Sequence, residues 1–199
     1  MTSKISAKQT EIVAALRRVA LKSGLGGTNI RSVAKEAGIS PASVLYYFDS
    51  MQDLFDQAIA SVLNEYYQNR ANLLVDIKDV RDRINALIDA GVPDEVSEDL
   101  RLVYGAFSAL PQDSRHLLAL QSILEKQVQL YFTTIEIGAG LGVFNPQPNS
   151  MAVARNIVAI EDSYDVYPLI NMNVSRQELR DNLRSYAQLA LGCDLTQGS

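Results

Sequence analysis

Cysteine and histidine each occur once in the 199 residues, at Cys193 and His116, and tryptophan is absent. One thiol cannot close an internal disulfide or build a thiolate cluster, and one imidazole supports no His-rich metal centre. No metal and no other cofactor is therefore expected. His116 stands beside Asp113 and Ser114, but three neighbours at one helix start cannot adopt the nucleophile, base and orienter geometry of a hydrolase. The chain is not expected to be an enzyme. No apolar run reaches the roughly 18 residues of a membrane span, and the first thirty residues lack the basic, apolar and small-residue order of a secretion signal. A cytoplasmic protein with no membrane partner is the expectation.

What is present is apolar material, 47% of the chain, enough for a sizeable core. Charge is divided unevenly around a net of -5. Residues 1–48 hold seven cations (Lys4, Lys8, Arg17, Arg18, Lys22, Arg31, Lys35) against Glu11 and Glu36. The remainder is strongly acidic. A basic first quarter on an acidic body points to a polyanion as the partner of that quarter.

Apolar residues recur at helical spacing nearly throughout, and no stretch alternates with period two, so the fold is expected to be all-α. About nine helices are expected, near 6–23, 29–36, 41–47, 51–75, 78–91, 95–109, 112–138, 150–168 and 175–192. Their punctuation is Gly24, the Gly26-Gly27 pair, Gly91-Val-Pro93, Pro111, the loop from Gly138 to Pro148, and Pro168. Thr28, Ser40 before Pro41, Ser50 with Asp53, and Ser175 with Glu178 are the expected helix caps. The expected division is a three-helix domain over 1–48 joined to a larger helical bundle over 49–199.

Residues 30–48 carry the most specific pattern. Ala34 is small where two helices cross, and Gly38 supplies a turn at no steric cost. Val33, Ala37, Ile39, Val44 and Tyr47 fall where the pair packs inward. That leaves Arg31, Lys35, Pro41, Ala42, Ser43 and Tyr46 outside, a surface suited to the major groove with the second helix as reader.

These residues, with Gly24, Thr28, Ser40, Phe48, Ser50 and Leu54, resemble the N-terminal helix-turn-helix domain of TetR-family transcriptional regulators. The resemblance implies a homodimer on double-stranded operator DNA, with phosphate contacts from Thr28 and Tyr47 and base edges met by Pro41, Ala42 and Ser43. Leu45 and Met51 depart from the Tyr and Lys usual in that family. The second domain is implied to hold a small-molecule effector and to dimerise through its last two helices, where Tyr164, Leu183, Tyr186 and Leu191 offer apolar surface. The segment from Gly140 to Phe144 and the last two helices resemble the choline-sensing BetI-like type.

Glu161 and Asp165 break an apolar stripe on the 150–168 helix, and buried unpaired carboxylates cost several kcal/mol each. Three compensations stand open. Arg176, Arg180 or Arg184 of the final helix can pair with them. A cationic effector, an amine or polyamine, can bind them with Asp162 alongside and Tyr164 or Tyr167 giving cation–π contact. A divalent metal is the third. Gln121, Tyr104 and Phe107 complete the candidate effector site. The reading is a ligand-responsive repressor. Its rivals are a helical enzyme or small-molecule carrier that merely keeps a helix-turn-helix shape, and a sequence-indifferent DNA architectural protein, which would need a more basic surface.

Overall fold

The computed structural model describes residues 2–95, 97, 98, 103 and 115–196, and every regular element among them is helical. The helices are α1 (Thr2–Ser23), α2 (Ile30–Glu36), α3 (Pro41–Tyr47), α4 (Met51–Leu73), α5 (Val80–Gly91), α6 (Arg115–Gly140), α7 (Ser150–Val166) and α8 (Arg176–Leu191). Short 3-10 turns occupy Leu25–Gly27 and Tyr167–Ile170. The helix expected over 95–109 falls largely outside the described residues.

Local chemistry accounts for most of the boundaries. Ser40 Oγ accepts the Ser43 amide at 3.0 Å and Pro41 occupies the first position of α3, while Ser50 Oγ accepts the Asp53 amide at 3.0 Å. Ser175 caps α8 through the Glu178 amide, and Gly192 ends it with φ 59°. One expected cap is displaced. Asn29, not Thr28, starts α2: its Oδ1 accepts both the Arg31 and Ser32 amides, while Ser32 Oγ accepts the Asn29 amide in return. Pro168 stops α7 short of the expected 168 and turns the chain into the second 3-10 segment.

The chain divides into two compact units, one of residues 1–64 with 97–120 and the other of 65–96 with 121–199. The division lies within α4 rather than at residue 48. The reason is packing: Leu54 and Ala58 of α4 share a core with Ile12, Leu16, Val33, Ala34, Val44 and Phe48, so a three-helix domain ending at 48 would leave that core open. In the second unit, Ile84, Leu87 and Ile88 of α5 pack with Tyr131 and Ile135 of α6, Val153 and Ile157 of α7, and Leu179, Leu183 and Leu191 of α8. Each fully buried aliphatic contributes about 1.5–3 kcal/mol. Leu183 and Leu191, expected at a subunit interface, are instead wholly inside this core.

Candidate functional site

In the first unit, the turn between α2 and α3 holds Gly38 at φ 66°, a left-handed conformation that a Cβ would disfavour. Ala34 is 1% exposed, and its carbonyl accepts the Ile39 amide across the turn at 3.0 Å. The result is a short α3 with Val44 and Phe48 buried and Pro41, Ala42, Leu45 and Tyr46 exposed. The Tyr46 ring is 77% exposed and meets Tyr47 edge-on, centroids 5.1 Å apart. Tyr47 is half-buried, and its carbonyl accepts from Gln9 Nε2 at 3.3 Å. Ser43 is half-buried, its hydroxyl 2.8 Å from that of Ser40. Thr28 is buried, its hydroxyl donating to the Gly24 carbonyl at 2.8 Å.

Cations are placed selectively. Arg31 and Lys35 stand exposed one turn apart on α2. Arg18 and Lys22 of α1 bind Glu36 at 2.7 and 3.2 Å, and those bonds hold the Glu36 carboxyl below its ordinary range. Part of the positive charge therefore joins α1 to α2, and Arg31 and Lys35 are left at the surface.

The second unit buries a charge cluster. Arg70 of α4 and Glu161 of α7 are each 3% exposed and paired at 3.1 Å. The guanidinium also donates to the Leu87 carbonyl at 2.9 Å, to Tyr131 Oη at 3.3 Å and to Gln127 Oε1. Tyr131 Oη donates to Glu161. The Arg70 guanidinium lies 5.6 and 5.5 Å from the Tyr66 and Tyr131 ring centres, within cation–π range. Gly91 closes the α5 side, where a Cβ would overlap the Glu161 carboxylate. Helix α4 is thus tied to α5, α6 and α7 through one side chain.

Burial pushes the Glu161 carboxyl up to about 7, against the opposing pull of Arg70 and Tyr131. Burial also opposes the charge of Arg70, but Glu161, Tyr131 and Tyr66 outweigh it and raise its pKa. The two shifts assign opposite preferences to the pair. Guanidinium is the fixed charge, because arginine does not deprotonate in proteins, and the carboxylate is the member that titrates.

Glu161 is therefore matched by Arg70, and not by an arginine of the final helix, one of the three compensations the sequence left open. Asp165 does pair there: Arg176 binds its Oδ1 at 3.0 Å and also donates to the Tyr164 and Pro93 carbonyls. Arg180 and Arg184 instead reach Asp89, Asp94 and Asp181. Asp162 is half-buried, with no hydrogen bond or ion pair among the described residues. Burial, and then Asp165, push its carboxyl up to about 6.

Tyr164 is half-buried against Tyr167, ring centres 5.5 Å apart. Gln121 is exposed in this chain and does not interrupt an inward stripe; the glutamine of α6 that points inward is Gln127. Tyr104 and Phe107 lie outside the described residues. Sequence reasoning missed Arg70, Tyr66 and Gln127. The available signal was Arg70 continuing the line of buried Ile59 and Leu63 and half-buried Tyr66 along α4.

Residues 12–58 match the family model of bacterial regulatory proteins of the tetR family. The chain carries the DNA-binding domain of that family. The match spans α1 to the start of α4, the helices of the first unit's core. The HTH-type transcriptional repressor KstR2 of Rhodococcus jostii is 23% identical over 149 residues, covering 72% of this chain and 71% of that protein. The HTH-type transcriptional regulator BetI of Stenotrophomonas maltophilia is 25% identical over 144 residues, covering 70% and 69%. In fold, the chain is similar to a transcriptional regulator from Saccharomonospora viridis solved in complex with choline, with TM-score 0.79, 20% identity and coverage of 92% and 96%. The matched segment contains the α2–turn–α3 surface. Among the described residues, no helix is long and apolar enough to cross a membrane.

Proposed function

We propose that this tetR-family regulator is a homodimeric repressor of a palindromic operator, released by a small cationic effector. The observation that carries the DNA half is the exposed α3 beside Arg31 and Lys35, inside the segment that matches the family. Thr28, Ser40, Pro41, Ala42, Ser43, Tyr46 and Tyr47 complete the proposed contact surface. The buried Thr28 hydroxyl and the Ser40–Ser43 pair brace it, and α3 and the α2 cations meet the groove and its phosphates. Repression is favoured by the likeness to KstR2, a named repressor.

The effector half rests on Asp162, which the sequence placed alongside Glu161 and Asp165, rather than on those two. Glu161 and Asp165 are satisfied by Arg70 and Arg176, so a cation gains nothing there that an arginine does not already supply. Asp162 remains: half-buried, raised to about 6 by burial against a longer-range pull from Arg70, and without a hydrogen bond or ion pair among the described residues. A bound ammonium compensates such a group. The choline-bound neighbour favours a cation of that kind.

The test is fluorescence anisotropy of the full chain on a palindromic duplex selected from a random library, across a salt series, with choline and spermidine added. Affinity should fall steeply as salt rises. One of the amines should raise the melting temperature and release DNA from the wild type but not from Asp162→Asn. Equal affinity for selected and random duplex overturns the operator reading, and indifference to both amines overturns the cationic effector.

A further inference from the structure

The chemistry of α3 limits what it can recognise. Its seven residues, Pro41-Ala-Ser-Val-Leu-Tyr-Tyr47, include no Arg, Lys, Asn, Gln, Asp or Glu. Guanine is usually selected by a bidentate Arg or Lys, adenine by a bidentate Asn or Gln, and cytosine by a carboxylate. None of these is available from this helix. The outer face is Pro41, Ala42, Leu45 and Tyr46, with Leu45 50% and Tyr46 77% exposed. Beyond the Tyr46 phenol, the remaining hydroxyl near this face, that of Ser43, is half-buried and 2.8 Å from the Ser40 hydroxyl.

Of the features a base pair shows in the major groove, an apolar face can favour one: the C5 methyl group of thymine. Leaving large apolar side chains against polar base edges would desolvate those edges without return. Packing them on methyl groups removes apolar surface from water on both partners. Phosphate affinity can meanwhile come from Arg31 and Lys35 on α2, and a contact to phosphate contributes no such discrimination.

We propose that α3 reads its operator through thymine methyl groups, with Ala42, Leu45 and Tyr46 as the contacting side chains, so that each half-site carries thymines under this helix. The inference rests on the operator-binding reading and specifies which chemistry of the DNA that surface takes.

The probe is a duplex selected by the full-length protein from a random double-stranded library, remade with deoxyuridine in place of each thymine in turn. Uracil keeps every hydrogen-bonding group of thymine and lacks only the methyl. At fixed salt, loss of a contacted methyl should weaken binding about fourfold, the equivalent of about 0.8 kcal/mol for one buried carbon. Two or more positions in each half-site should respond. Leu45→Ala should remove the thymine-over-uracil preference at one position and leave that preference unchanged at the others. A selected duplex that binds equally well with all of its thymines replaced overturns the inference and leaves the operator reading standing. Failure of selection to enrich any duplex overturns the operator reading itself.

Discussion

Arg70 and Glu161 form a pair whose members behave differently when one is removed. Arg70→Met leaves a buried carboxylate that can shed its charge by taking up a proton, whereas Glu161→Gln leaves a guanidinium that cannot lose one. The loss expected from breaking such a pair is about 3–5 kcal/mol. For Arg70→Met that loss should be present at pH 8 and largely recovered at pH 5, where the carboxyl is neutral. For Glu161→Gln it should also shrink at pH 5, because the wild-type carboxyl, at about 7, is itself protonated there. Urea melts of the wild type and both variants at the two pH values measure this, and losses equal at pH 8 and pH 5 would show that the carboxylate does not titrate in the folded protein.

Asp162 carries its own pH signature. Its folded value, about 6, lies above the ordinary 3.8, so the native state binds this proton more tightly than the unfolded chain does. Its contribution is therefore favourable below pH 3.8 and is lost as pH rises through 6. Asp162→Asn should flatten the stability profile between pH 4 and pH 6 and stabilise the protein by ~1–2 kcal/mol at pH 8, discounted for residual contact with solvent. Thermal melts across that range test the sign. An asparagine variant less stable than wild type at pH 8 would mean that the carboxylate has a partner it needs.

At the scale of elements, the helix-turn-helix was legible because its determinants are local. A small residue at the crossing, a glycine in the turn and a Ser-Pro start are each set by chemistry within a few residues, and the structure places Ala34, Gly38 and Ser40 in those roles. The cap of α2 was misplaced by one residue because Thr28 and Asn29 both have side-chain acceptors, and only the geometry of the Ser32 hydroxyl decides between them. The charge cluster was half legible. A carboxylate on an apolar stripe announces that it needs a cation, but Arg70 is 91 residues away, and nothing local selects it over Arg180 or Arg184. On α6, Val128 and Tyr131 are buried whereas Leu124 is 41% exposed and Gln121 meets solvent, so helical spacing along the apolar stripe Leu117, Leu120, Leu124, Val128 and Tyr131 did not by itself show which part of α6 faces the core.

At the scale of the molecule, the question is how two reading heads are held on one operator. A dimeric helix-turn-helix protein must present its heads about 34–36 Å apart, one turn of the duplex, so an isolated subunit loses the gain of simultaneous docking. The proposed interface is the outer surface of α7 and α8. With Leu183 and Leu191 consumed by the chain's own core, what remains there is Leu189 at 81% exposure, Val166 at 39%, exposed Ala159 and Ser163, and half-buried Tyr164 and Tyr186. Small residues on α7 permit close approach of a second helix, and Leu189 is the one large aliphatic of α8 left wholly outside the core. Leu189→Glu adds a charge at a position that contributes little to the fold of the single chain, so the melting transition of the monomer should survive. Light scattering should then report the monomer mass at concentrations where the wild type is dimeric. Affinity for the palindrome should fall by at least tenfold, while affinity for an isolated half-site should be unchanged. A dimeric Leu189→Glu protein with full operator affinity would move the interface away from α8.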